Sequence, residues 1–209
     1  MKKIWDISPP VDASSAVFPG DTPYTQQAHF EIGPLCPVNV CRITLSPHTG
    51  AHADAPLHYA PGATAIGSVA LEPYLGPCRV VHCIDVGPLI EPQHLAAAFE
   101  GMPARLLVRT LQHARQSWEP FTAFAPQTLA QLAALGVLLV GIDTASVDPA
   151  TSGDLQAHHQ LLQHDMRVLE NLVLDDVPEG DYELIALPLK LMSADASPVR
   201  AVLRPLEKR

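Results

Sequence analysis

Basic residues are in short supply, with 13 Lys and Arg against 22 Asp and Glu and a formal charge of −9. A surface that holds phosphate backbones needs the opposite balance, so nucleic acid is excluded as a partner, and an anionic membrane surface would repel this chain. No apolar run approaches the ~20 residues needed to cross a bilayer. The opening Met1-Lys2-Lys3-Ile4-Trp5-Asp6 lacks the apolar stretch of a secretory signal. A cytoplasmic protein with no membrane partner is the expectation. Charged residues reach only 17% against 47% hydrophobic ones, which excludes general disorder. Aromatics are scarce at 5%, and only four cysteines occur. Cys78 and Cys83 fall in a strand-like run where a separation of five faces opposite ways, which argues against a four-cysteine zinc site with Cys36 and Cys41. All four read as reduced, small hydrophobes. No repeat, low-complexity segment or linker breaks the 209 residues, which suit a single domain over 1–209.

Proline and histidine are plentiful. The 21 prolines are about double the ~5% average usage and predict ordered loops and edge strands, not long helical bundles. The run Phe18-Pro19-Gly20-Asp21-Thr22-Pro23 reads as a rigid turn. Strands are expected over 38–45, 79–86, 105–109, 137–142, 172–174, 182–187 and 199–203. Helices are expected over 92–99, 126–135 and 155–169, the second closed by Gly136. Strands outnumber helices and alternate imperfectly with them, so the fold class is mixed α/β around a strand-built core.

The 10 histidines concentrate the chemistry, because imidazole is a common metal ligand and acid–base group near neutral pH. Residues 47–59 place His48, His52, Asp54 and His58 on even positions, with Ala51, Ala53, Ala55 and Leu57 on odd ones. An extended chain has a side-chain period of two, so His52, Asp54 and His58 would share one face. Fully extended, His48 and His52 would sit ~13 Å apart, too far to grip one ion comfortably. Gly50 and Pro56 argue against the helix that would bring them to ~6 Å. A strand bent at Gly50 reconciles the two. His48, His52 and Asp54 then offer two nitrogens and an oxygen to zinc or a similar divalent ion, and His58 stands near enough to act on a bound water without being a ligand. In residues 155–172, His158 and Glu170 would lie ~120° apart on one straight helix, so they can meet only if Glu170 belongs to a following strand.

His48-Thr49-Gly50-Ala51-His52-Ala53-Asp54-Ala55-Pro56-Leu57-His58 resembles the H-x-G-T-H-x-D-x-P-x-H signature of the cyclase-like metal-dependent hydrolases. The likeness covers nearly the full length. It includes the 18–23 loop, the His158-His159 pair, the stretch from Glu170 to Asp175, and the closing run from Gly180 to Lys190; the last two point to a formamidase branch. The resemblance implies a swivelling β/β/α fold, a homodimer, and two zinc ions per subunit, with manganese or another divalent ion as the alternative. By position it implies that His48 and His52 bind the first ion, Asp54 bridges both, His158 binds the second, Glu170 spans the pair, and His58 is catalytic. Ala51 replaces the more usual threonine without removing a ligand. Phe18 stands where tryptophan is commoner and implies an aromatic substrate contact without an indole N–H. The implied reaction is hydrolysis of N-formyl-L-kynurenine to L-kynurenine and formate, in tryptophan degradation. The rival is an isatin hydrolase-like relative that opens a cyclic amide or imide. A serine hydrolase is excluded because Gly67-Ser68 lacks the G-x-S-x-G pattern. A non-catalytic metal binder would have no use for His58 beyond a complete ligand set.

Overall fold

Both ends of the chain enter one sheet. A computed structural model describes residues 3–115 and 117–206. Among these, strand β1 (Trp5–Asp6) pairs antiparallel with β13 (Val202–Pro205). The remaining strands of that sheet are β4 (His52–Asp54), β5 (Leu75–His82), β7 (Arg105–Arg109), β9 (Leu139–Ile142), β10 (Arg167–Glu170), β11 (Gly180–Ile185) and β12 (Ala196–Pro198). Its nine strands run in the order β1-β13-β11-β5-β7-β9-β10-β4-β12. The run β5-β7-β9-β10 is parallel and the flanking pairs are antiparallel. β2 (Thr25–Phe30) and β3 (Val40–Thr44) form a separate hairpin, and β6 (Leu89–Ile90) pairs with β8 (Ala123–Phe124).

The strand period sorts side chains into two cores. Leu107, Leu139 and Leu169 belong to one, with Tyr74, Tyr182 and Leu203; Leu106, Val108, Val140 and Val168 belong to the other. Helices α3 (Pro126–Ala134) and α4 (Gln156–Gln163) close the second core with Leu129, Leu132 and Leu161. α3 starts on a proline at its first turn, where no amide hydrogen is needed, and ends before Gly136 at φ +85°, as its sequence predicts. α2 (Pro92–Leu95) and a following 3-10 turn fill the expected 92–99 helix. Among the described residues no helix is long and apolar enough to cross a membrane. The fold is thus the mixed α/β, strand-dominated architecture expected.

Four local readings are corrected. The helix expected over 155–169 stops at Gln163, Asp165 turns with φ +51°, and Arg167–Glu170 is a parallel strand. Val168 and Leu169, which imitate a helical stripe, point to opposite cores because they are a strand pair. Residues 172–174 are not a strand although Leu172 and Leu174 are buried. The strand expected over 199–203 is displaced to Val202–Pro205, and β12 precedes it. The extended face expected through His58 ends at Asp54, because Pro56–Tyr59 is a one-turn helix, α1, with Pro56 in the first position. Proline is pre-organised for that place, so it starts this helix instead of preventing one.

Burial pushes the Cys78 thiol up to about 12 and that of Cys83 up to about 11. Both should resist a thiol reagent at pH 8 and react only after unfolding, which a thiol titration with and without denaturant measures. Gly67 is a second test of packing. A Cβ there would stand 2.6 Å from the carbonyl carbon of Leu191 and 2.8 Å from the amide of Met192, both backbone atoms that cannot rotate away. Gly67→Ala is expected to lower stability by about 1–3 kcal/mol, read from the denaturation midpoint.

Candidate metal and catalytic centre

Four chain segments converge on one pocket. Gly50 bends the chain ahead of β4 at φ +69°, and a side chain there would strike Val11 Cγ2 at 2.6 Å. The bend lets His48 fold back over β4, where Nδ1 lies 3.0 Å from Asp54 Oδ1. In the antiparallel register of β4 and β10, His52 is directly opposite Glu170, and the two meet at 3.3 Å between Nε2 and Oε2. Asp54 lies on the same face two residues on. α4 delivers His158 from its first turn, with Nε2 3.4 Å from Asp54 Oδ2 and 3.7 Å from Glu170 Oε1. His158 and Glu170 therefore meet, as they can because Glu170 ends a strand. His159 is exposed on the helix.

Each of these three imidazoles has one nitrogen committed elsewhere. His48 Nε2–H donates to Asp195 Oδ2 at 3.0 Å, His52 Nδ1–H to the Gly50 carbonyl at 2.9 Å, and His158 Nδ1–H to Asp148 Oδ2 at 2.7 Å. The other nitrogens, His48 Nδ1, His52 Nε2 and His158 Nε2, turn toward the oxygens of Asp54 and Glu170. A neutral imidazole with one N–H committed offers a lone pair on the other nitrogen. Lone pairs facing carboxylate oxygens at this range repel unless positive charge lies between them. Buried Asp54 Oδ1 has no hydrogen-bond partner although two histidine nitrogens lie within 3.4 Å. Nitrogen and carboxylate donors from His52, Asp54 and Glu170 fall within 4.8 Å of one another, as do those of His48, Asp54 and His58. This donor set fits a divalent cation.

The electrostatics point the same way. Burial alone would favour neutral His48 and His158. Asp54 and Asp195 override it at His48, raising it to about 9, and Asp148 and Asp54 do so at His158, raising it to about 10. Burial would raise Asp54, yet His158 and His48 hold it well below the usual carboxylate range. The carboxylates thus favour positive charge in the pocket, whether protons on these histidines or a cation in their place.

His58 sits in α1, more exposed than the others. Its Nδ1 lies 3.2 Å from Asp195 Oδ2, and its ring centroid is 4.3 Å from that of His48 and 5.9 Å from that of His158. The surrounding cavity, about 310 Å3, is lined by His48, His52, His58, His158 and Glu170 together with the rings of Phe18 and Trp118. Those two rings meet edge-on at 4.9 Å. An indole is therefore present although position 18 lacks one.

Phe18, His48, His52, His58, His158 and Glu170, the site residues expected from the sequence, line this cavity, and Asp54 lies against its histidines. Three were missed. Asp148, buried, accepts the amide hydrogens of Ala157 and His158 at 2.8 and 3.0 Å as well as the His158 ring, so it caps α4 and fixes its histidine at once. Asp195 joins His48 to His58, and Trp118 completes the aromatic wall. No spacing rule connects positions 148 and 195 to histidines 10 and 137 residues away. Trp118 had only its rarity as a signal, as one of two tryptophans.

The family model for Cyclase matches residues 5–149. A kynurenine formamidase of Polaromonas naphthalenivorans is 70% identical over 204 residues, covering 98% of this chain and 92% of that protein. A solved structure described as a predicted metal-dependent hydrolase from Bacillus stearothermophilus is 27% identical and superimposes with a TM-score of 0.83 over 99% of this chain and 100% of its own. An isatin hydrolase bound to thioisatinate is 20% identical with a TM-score of 0.82, covering 98% of this chain and 93% of its own, a likeness of fold alone.

Proposed function

The chain belongs to the cyclase family, and from that premise we propose that it is a metal-dependent arylformamidase that hydrolyses N-formyl-L-kynurenine to L-kynurenine and formate. The observation that carries this reading is the 70% identity, over nearly the whole chain, to a kynurenine formamidase. The convergence of His48, His52, Asp54, His158 and Glu170 on a cavity with an aromatic wall agrees with it. Those five residues hold the metal. Two zinc ions per chain suit them, since Asp54 turns one oxygen toward His48 and His52 and the other toward His158. A divalent ion supplies an acidified water at neutral pH and a Lewis-acid contact for the formyl oxygen.

The protein groups do the rest. Phe18 and Trp118 receive the aryl ring and set the formamide against the histidine wall. His58 donates its Nδ1–H to Asp195, so Nε2 is free for acid–base work in the cavity that it lines. It accepts a proton from the attacking water and returns it to the anilide nitrogen as the C–N bond breaks. Without that proton the leaving group would be an arylamide anion. Water adds to the formyl carbon, its first proton reaches the arylamine nitrogen through His58, and the formic acid released loses the second to solvent as formate.

The β2–β3 hairpin supports a homodimer. Every residue of both strands is exposed, and Phe30, Ile32, Val40 and Ile43 are each 43–65% open, an apolar surface that a second copy would cover. The test of function is elemental analysis of the purified protein together with turnover of N-formyl-L-kynurenine, simple formanilides and isatin. Two ions per chain and preference for the formyl anilide are expected. Preferential ring opening of isatin would overturn the reading.

A further inference from the structure

One oxygen, Asp195 Oδ2, accepts from two histidines: His48 Nε2 at 3.0 Å and His58 Nδ1 at 3.2 Å. Among the described residues the His58 ring has no other hydrogen-bond partner, although it is one-third exposed and sits on a helix of a single turn. Ring packing against His48 does not distinguish Nδ1 from carbon, so this hydrogen bond is what selects between the two χ2 orientations. Asp195 itself is held by backbone. Its carbonyl accepts the Ala55 amide at 2.8 Å, Ala194 O accepts from Ile66 at 3.0 Å, and Leu191 O accepts from Gly67 at 3.0 Å. The next residue, Ala196, pairs with Asp54 in the β12–β4 register. The carboxylate is thus tied to the strand that carries His52 and Asp54.

We propose that Asp195 is a positioning residue that orients His48 toward the metal and His58 toward the substrate through a single carboxylate oxygen. The proposal rests on the roles given above to His48 and His58. It makes ligation and proton transfer mechanically dependent on one side chain that contacts neither ion nor substrate. Partners that orient a ligating imidazole typically change metal affinity or activity by roughly 10–100-fold. As an isolated, partly exposed ion pair the contact would matter far less.

The experiment compares zinc-loaded wild type, Asp195→Asn, Asp195→Ala, His58→Ala and the Asp195→Ala/His58→Ala double variant. It measures kcat, KM, and the chelator concentration that strips half the zinc. For Asp195→Ala we expect kcat to fall roughly 10–100-fold with KM within about twofold, and zinc to be stripped at lower chelator concentration. Asp195→Asn, whose amide oxygen still accepts, should recover part of both. In the His58→Ala background, Asp195→Ala should cost less in kcat than it does in the wild type, because one of the two groups it orients is gone, while the chelator sensitivity that acts through His48 remains. Wild-type kcat in Asp195→Ala, losses that multiply fully in the double variant, or unchanged chelator sensitivity would each overturn the proposal. If the wild type binds zinc but turns over no formyl anilide, the functional reading fails instead, and the chelator comparison still tests the His48 half.

Discussion

His58→Ala is expected to keep its fold and its metal while turnover of the formyl anilide falls by ~10²–10⁴-fold, the usual cost of removing a positioned acid–base group. The geometry supports both halves. The His58 ring has its Nδ1 engaged by Asp195, and the donor groups of His48, His52, Asp54, His158 and Glu170 face one another without it. It is also the most exposed of the four site histidines and lies in a one-turn helix at the cavity edge, so its removal leaves no large buried void. The deficit should shrink for formanilides with electron-withdrawing rings, since a better leaving amine needs less protonation as the bond breaks. Steady-state rates on a graded series, with elemental analysis of each preparation, make the check. Loss of metal would show that His58 is a ligand, which its proximity to His48 and Asp54 makes the one serious rival role. An equal deficit across the series would remove the proton-donor role.

Asp54→Ala should have the larger effect, with metal and activity lost together. Asp54 is 1% exposed, and among the described residues its two oxygens are the only carboxylate pair that faces all three of His48, His52 and His158. Its removal leaves three lone pairs converging on a small void with one fewer charge to balance a cation. Glu170→Ala should cut metal content as well, less completely, because Glu170 reaches only His52 and His158. It also strands the buried amide of Val147, which now donates to Oε1 at 2.8 Å, so some destabilisation should accompany the loss. His159→Ala is the matched control: exposed on the outer side of α4, it should retain full metal and full rate. Elemental analysis and a melting curve on the three variants separate ligation from stability. A full complement of metal in Asp54→Ala would refute the ligand assignment, and a loss in His159→Ala would mean the neighbouring histidine had been chosen wrongly.

Much of this centre is legible in residues 48–58, because side chains two apart on a strand share a face whatever the rest of the protein does. That local rule predicts the pairing of His52 with Asp54, and the bend at Gly50 follows from glycine's access to positive φ. The same reasoning failed four residues later. Pro56 reads as a helix breaker within a pattern, yet as the first residue of a helix it loses nothing, and only the position of the turn decides which applies. The stretch 155–170 misled in a similar way, since Leu161, Val168 and Leu169 are apolar at spacings that satisfy a helix while two of them belong to a strand.

The sequence by itself determined the candidate donor types in residues 48–58, the formamidase-like signature and the strand-rich fold class, because these depend on residue identity and near-neighbour spacing; His158 it offered only through the family resemblance. The tertiary structure alone decided that β4 lies beside β10 in a register placing His52 against Glu170, and that α4 points His158 at Asp54. It alone brought in Asp148, Asp195 and Trp118. Their contacts close over separations of 10 to 147 residues, and such long-range pairings are set by which strands are neighbours in the sheet, a choice made by burial of two whole cores. No short pattern in the chain encodes that choice, and so the groups that orient the histidines could be found only in three dimensions.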